Sequence, residues 1–132
     1  MKRQHIYLAV LAIGAGTTSS YAAGLHAVRP LNGYICKMLN ITEQQALSPT
    51  PVVRLKTGPS PTAADAGWAP LTVAVAQSVS PENGYVQVMT LGGKTAWIAG
   101  DKVAEWHSKG DPSGTCTPAI MSNGRVGFSY GH

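Results

Sequence analysis

Short alternating segments separated by turn residues fill positions 51–106 of the sequence. LTVAVAQ, YVQVMTL and KTAWIA alternate larger apolar residues with polar or small ones, at the period of a half-buried strand. Asn83-Gly84 and Gly92-Gly93, which separate these runs, are hairpin signals. No helical period of any length occurs in this interval. The sequence therefore predicts an all-β fold, built as a small and strongly bent sheet or barrel.

The first 22 residues follow the pattern of a secretory signal peptide. MKRQH is a short basic start, IYLAVLAIGAG is an apolar run, and TTSSYA ends in small residues. The apolar run is shorter than the about 20 residues that cross a bilayer. An uncleaved anchor is the alternative interpretation. We predict cleavage after Ala22, a periplasmic or secreted product, and no membrane span once residues 1–22 are removed.

The charge pattern argues against nucleic acid as a partner. Cleavage takes 22 of the 132 residues and leaves 110, the length of one domain. Without Lys2 and Arg3, the ten basic residues become eight, against six acidic ones. The basic residues are scattered singly along the chain, whereas nucleic-acid binding proteins cluster their basic residues in a patch or stripe. These residues therefore predict a solvated surface and no nucleic-acid partner.

The two cysteines, Cys36 and Cys116, both follow the predicted signal peptide. An even number of cysteines in an exported chain indicates one disulfide. Alternatively, Cys36 is a nucleophile, or the cysteines bind a metal together with histidines. No C-x-x-C or H-x-x-x-H spacing is present, so we expect no metal site and no cofactor.

The remaining chain divides into three parts. Residues 23–50 form an N-terminal flank with a turn-rich lead-in and a short helix, for which Thr42 is the expected N-cap. Residues 51–106 form the β domain. Residues 107–132, rich in glycine, serine and proline, form a loop-rich C-terminal flank.

The β domain resembles the bacterial SH3-like domains of exported and cell-envelope proteins. The matching segments, in family order, are VRLKTGPS at 53–60, GYVQV at 84–88, GKTAWI at 93–98 and DKV at 101–103. Ala96 and Tyr85 depart from the family's usual glycine and tryptophan. The resemblance implies a small five-stranded, partly open barrel with a short helical turn, and the disulfide would tie the two flanks together across it.

The resemblance also implies a binding module for cell-wall peptide or peptidoglycan, or for an envelope protein partner. The groove would lie between segments 57–70 and 78–84, centred on Trp68 and Tyr85 with Lys56 and Glu82 near its rim. A structural or accessory subunit of an envelope complex or a secreted enzyme is the alternative function.

The three tryptophans leave structural alternatives open. Trp68 either contacts a ligand or covers an open end of the barrel. Trp97 is expected in the core or half-buried beside it. Trp106 either caps the barrel or packs against the flanks.

We expect no catalysis from this chain. An enzyme needs a nucleophile or an acid–base pair with an orienting partner, and no such constellation is visible. His107 is the one histidine near a predicted strand, and the loop carboxylates suit turn formation. The remaining enzyme hypothesis is a small cysteine hydrolase that uses Cys36, because cell-wall peptidases often carry SH3-like domains.

The signal peptide is testable by mass spectrometry of the periplasmic fraction. The small residues before the predicted cleavage position should give a mature protein that begins near Ala23. A full-length product confined to the cytoplasm would contradict this prediction.

Overall fold

The computed structural model describes residues 24–132, and the predicted signal peptide lies outside them. The described chain is mostly β, which confirms the predicted fold class. It contains one α-helix, α1 (Glu43–Leu47), and one 3-10 turn (Gly100–Lys102). The ten strands are β1 (Ala27–Pro30), β2 (Tyr34–Leu39), β3 (Arg54–Lys56), β4 (Asp65–Trp68), β5 (Thr72–Ala76), β6 (Tyr85–Met89), β7 (Thr95–Ala99), β8 (Val103–Glu105), β9 (Thr115–Met121) and β10 (Val126–Gly131).

The strands form two open antiparallel sheets. The larger has seven strands in the order β4-β3-β7-β6-β5-β2-β8, and the smaller has the order β1-β9-β10. The large sheet exceeds the five strands of the predicted barrel for two reasons. β2, from the N-terminal flank, pairs with both β5 and β8, and β4 forms inside the expected loop 57–70. Within residues 24–132 no strand pairing closes this sheet into a barrel.

One face of the large sheet carries the core. Val75 lies opposite Val88, and Val88 lies opposite Ala96, so one row of small and β-branched side chains crosses three strands. Aliphatic side chains of this kind pack densely on a pleated surface. The buried cluster consists of Leu39, Val53, Leu55, Val73, Val75, Val88, Ala96 and Ile98.

Strand β6 begins at a tight hairpin turn. Asn83 and Gly84 have φ values of 52° and 79°, as a two-residue type I′ turn requires, and Glu82 and Tyr85 exchange backbone hydrogen bonds of 2.9 Å. The predicted hairpin signal is therefore confirmed. The Gly100 amide donates to the Gly84 carbonyl at 2.8 Å, and a Cβ at Gly100 would lie 3.1 Å from that oxygen. Glycine at position 100 thus lets the chain turn after β7 against this hairpin.

The predicted short helix is present as α1. Thr42 is its N-cap and forms a capping box with Gln45.

The C-terminal flank is more regular than the sequence suggests. Residues 107–132 were expected to be loop-rich, but they contain the β9–β10 hairpin, and β1 from the lead-in pairs with β9. Pro118 and the glycines obscure the strand pattern. In an antiparallel ladder, hydrogen-bonded and non-hydrogen-bonded residue pairs alternate. The Met121 amide donates to the Arg125 carbonyl, so these two residues form a hydrogen-bonded pair. Three positions farther along, Pro118 and Phe128 therefore form a non-hydrogen-bonded pair. Proline therefore removes no bond between β9 and β10.

The predicted disulfide is present between Cys36 on β2 and Cys116 on β9, 80 residues apart. It connects the two sheets. Trp106, which follows β8, stacks on Tyr130 of β10 with ring centroids 5.9 Å apart. Of the two alternatives for Trp106, the structure therefore shows packing against the C-terminal flank.

Removing the disulfide should destabilise the protein strongly. In the chain-entropy model, cross-linking residues 80 apart lowers the free energy of folding by roughly 4–5 kcal/mol. Cys36→Ala and Cys116→Ala should each lower the melting temperature by similar amounts, and the double variant by about the same. Val28→Ala, at an exposed position of β1, is the control. An unchanged melt in the cysteine variants would contradict the prediction.

Candidate functional site

Strand β3 separates charge from core by simple alternation. Leu55 points into the core and is 2% exposed, so Arg54 and Lys56 point to the opposite side of the sheet. Arg54 lies opposite Trp68 on β4. Lys56 lies opposite Asp65 on β4 and opposite Trp97 on β7. Because residues directly opposite each other share a face, these side chains lie on one side of the sheet.

The same side continues onto β6. Trp97 lies opposite Gln87, and Tyr85 lies two residues from Gln87 and opposite Ala99. We call this surface the open face and define it by Arg54, Lys56, Asp65, Trp68, Tyr85, Gln87 and Trp97. Strands in a sheet lie about 4.8 Å apart, so the distance from β4 to β6 is roughly 14 Å.

A compact charged cluster occupies the β3–β4 end of the open face. The Arg54 guanidinium carbon lies 3.9 Å from the centroid of the Trp68 ring, a cation–π contact. The Lys56 ammonium donates to Asp65 Oδ1 at 2.7 Å. The second carboxylate oxygen of Asp65 lies 3.4 Å from Arg54 Nη1. A single carboxylate thus faces two cations, and the cluster keeps one positive charge in excess.

Asp65 is held in its ionised form. The hydrogen bond from Lys56 lowers the pKa of the Asp65 carboxyl below its ordinary value, and the charges of Arg54 and Lys56 lower it further. Partial desolvation acts in the opposite direction and is outweighed. The three charges therefore coexist at neutral pH.

The structure brings together the residues that the sequence placed around a groove. Trp68, Lys56 and Tyr85 share the open face, and Glu82 lies opposite Tyr85 at the hairpin end. The two segments predicted to border the groove, 57–70 and 78–84, also contact each other. The Asn83 side-chain amide donates to the Pro59 carbonyl at 3.1 Å. Their role in binding stays a prediction.

Trp68 occupies a different local structure from the expected loop. It lies on β4 and is 45% exposed, with one ring face covered by Arg54. Gly67, at φ 95°, accompanies an irregular register between β3 and β4. This exposure disfavours the alternative in which Trp68 covers an open barrel end.

Sequence reasoning missed four members of the open face: Arg54, Asp65, Gln87 and Trp97. Trp97 is partly buried as expected, but it lies on the side opposite to the core residues Ala96 and Ile98. The alternation in TAWIA carried this signal, since a buried Ile98 forces Trp97 outward. The sequence predicts a solvated surface position for Arg54 and a turn-forming role for Asp65, and only strand pairing shows that the two side chains converge.

The chemistry available on the open face is stacking, hydrogen bonding and charge pairing. Among residues 24–132, no group of three or more histidine, cysteine or acidic side chains is arranged to hold a metal ion. The Cys36 sulfur is bonded to Cys116, which leaves no thiolate for the proposed cysteine hydrolase. No helix in the described part of the chain is long and apolar enough to cross a membrane.

No protein-family model, no curated protein and no solved structure matches this chain.

The two sides of β7 should respond differently to truncation. Ile98 is fully buried, so Ile98→Ala should lower the free energy of unfolding by about 2–5 kcal/mol. Trp97→Ala should cost less, because it leaves no cavity in the core cluster and removes a ring that is already partly accessible. Urea denaturation of both variants measures the difference. A larger loss for Trp97→Ala would place that ring in the core.

Proposed function

We propose that this protein is an exported binding module that holds cell-wall peptide or peptidoglycan on its open face and performs no catalysis. The observation that carries this proposal is the alignment of Trp68, Trp97 and Tyr85 on one side of four neighbouring strands, interspersed with charged and amide side chains. Aromatic rings of this kind give large contact areas at low entropic cost, and they are enriched in binding surfaces.

The selective exposure of this side supports a binding role. At β2 and β5 the same side of the large sheet is covered, and Ala74 is fully buried there opposite Cys36. At β4 and β3, Trp68 and Arg54 remain accessible. A tryptophan left 45% exposed on a strand adds little to folding, whereas a ligand can use it as a stacking surface.

The dimensions of the open face suit a short polymer segment. Its extent of roughly 14 Å from β4 to β6 matches about four residues of an extended peptide at about 3.5 Å each. The predicted export would place the protein beside the cell wall. Strands β3, β6 and β7 form at the segments VRLKTGPS, GYVQV and GKTAWI, on which the SH3-like resemblance rests.

The second candidate function, an accessory subunit that contacts an envelope protein, is favoured by a separate apolar surface. Val52 and Leu71 are 40% and 54% exposed and line a cavity of about 240 Å³ beside α1. Apolar exposure of this kind is a common feature of protein contacts. It lies outside the residues that define the open face, so the two candidates can be tested by different variants.

Trp68→Ala should abolish retention on purified cell-wall sacculi while leaving the melting temperature within a few degrees of wild type. The reason is that Trp68 contributes exposed contact area and little core packing. Co-sedimentation with sacculi, measured beside a thermal melt, gives both quantities.

Tyr130→Ala is the matched control, because Tyr130 is an exposed aromatic on the other sheet, 60% accessible against 45% for Trp68. It should sediment with sacculi as the wild type does. If Trp68→Ala and wild type are retained equally, the open face does not bind the cell wall. If Leu71→Ala alone weakens retention, the apolar surface beside α1 is the contact.

A further inference from the structure

We propose that Arg54 anchors a carboxylate of the ligand, so that the open face binds acids in preference to the corresponding neutral compounds. This inference rests on the binding function proposed above and adds the chemical class of the group that is recognised. It assigns a specific role to a residue that the sequence placed on the ordinary solvated surface.

The first support is that the Arg54 side chain is already positioned. Its guanidinium stacks on Trp68 with 3.9 Å between the guanidinium carbon and the ring centroid, and Asp65 lies beside Nη1. Both partners lie on β4, which is paired with β3. An arginine held in this way loses less conformational entropy on binding than a free surface arginine does.

The second support is that Arg54 keeps spare hydrogen-bond donors. Among residues 24–132, Asp65 is its one ionic partner, at 3.4 Å, beyond the usual range of a strong hydrogen bond. Lys56 is the closer partner of that carboxylate, at 2.7 Å. The guanidinium side chain is 41% exposed. Its remaining N–H groups can therefore reach a ligand in the forked geometry that suits a carboxylate.

The charge balance favours a monoanion. Arg54 and Lys56 face the single carboxylate of Asp65, so the cluster carries one excess positive charge. A carboxylate neutralises that charge, whereas a phosphate dianion would leave the cluster with a net negative charge. Trp68, under the guanidinium, offers apolar area to the group that bears the carboxylate. We therefore expect a carboxylate at the terminus of a wall peptide.

The test compares matched probes by tryptophan fluorescence titration of the mature protein at low salt. One pair is a D-alanyl-D-alanine peptide with a free carboxylate and the same peptide as its C-terminal amide. The other pair is N-acetylmuramic acid and N-acetylglucosamine, which distinguishes a sugar carboxylate from a peptide one. We expect the wild type to bind the peptide acid about tenfold more tightly than the amide.

Three variants isolate the contribution of Arg54. Arg54→Gln should bind the peptide acid and amide equally, and Arg54→Lys should keep only a small preference because it retains charge without the fork. Arg125→Gln, which removes an exposed cation in the turn between β9 and β10, should keep the wild-type ratio of acid to amide affinity. Thermal melts show whether each variant is folded. If Arg54→Gln does not fold, the ratio of acid to amide affinity in Arg54→Lys tests the role of Arg54.

Each outcome separates the two proposals. Equal affinity of the wild type for peptide acid and amide, or a full preference retained in the Arg54 variants, overturns the role of Arg54. A preference for the sugar acid alone overturns the peptide as the carboxylate source. Sacculus retention without any acid preference leaves the binding module standing and removes the carboxylate site. An Arg54-dependent preference for the peptide acid without sacculus retention leaves the carboxylate site standing and removes the cell-wall binding module.

Discussion

The core contact between strands β3, β7 and β6 is the constraint on which the rest of the structure depends. Leu55 and Ile98 are 2% and 0% exposed, and Val88 is buried beside them in the same cluster. Since side chains alternate along a strand, burying these residues fixes the opposite orientation for Lys56 and Trp97. A one-residue slip of β3 would place Arg54 and Lys56 in the core, and a slip of β6 or β7 would turn its buried aliphatic residues outward. The arrangement of the open face therefore follows from hydrophobic burial.

The disulfide and the second sheet decide how much of the outer side stays accessible. Cys36 lies on that side and is joined to Cys116, and its neighbour Ala74 is completely buried. The smaller sheet, formed by β1, β9 and β10, is tied further to the large sheet by the stacking of Trp106 on Tyr130. The outer side of the large sheet is thus covered at β2 and β5 and accessible at β4 and β3.

The open face combines two kinds of interaction that reinforce each other. Asp65 lies close to Lys56 and farther from Arg54, and the Trp68 ring stacks on the Arg54 guanidinium. On an exposed surface such ion pairs contribute little to the free energy of folding. Their main effect is to orient the side chains of Lys56 and Arg54. A cation oriented over an aromatic ring presents charge and apolar area together. Among residues 24–132 this is the one cation–π contact, and it distinguishes the β3–β4 end of the face.

The sequence by itself determined the all-β class, the hairpin at Asn83-Gly84, the capped helix at Thr42 and the cysteine pair, because each rests on local periodicity, on turn chemistry or on the parity of the cysteines. It could not determine that β2 joins the large sheet, that the C-terminal flank forms a second sheet, or that Arg54, Asp65 and Trp68 converge. Those features depend on pairing between segments distant in sequence. Strand pairing is chosen by the burial available in the whole fold, and no short stretch of sequence contains that information.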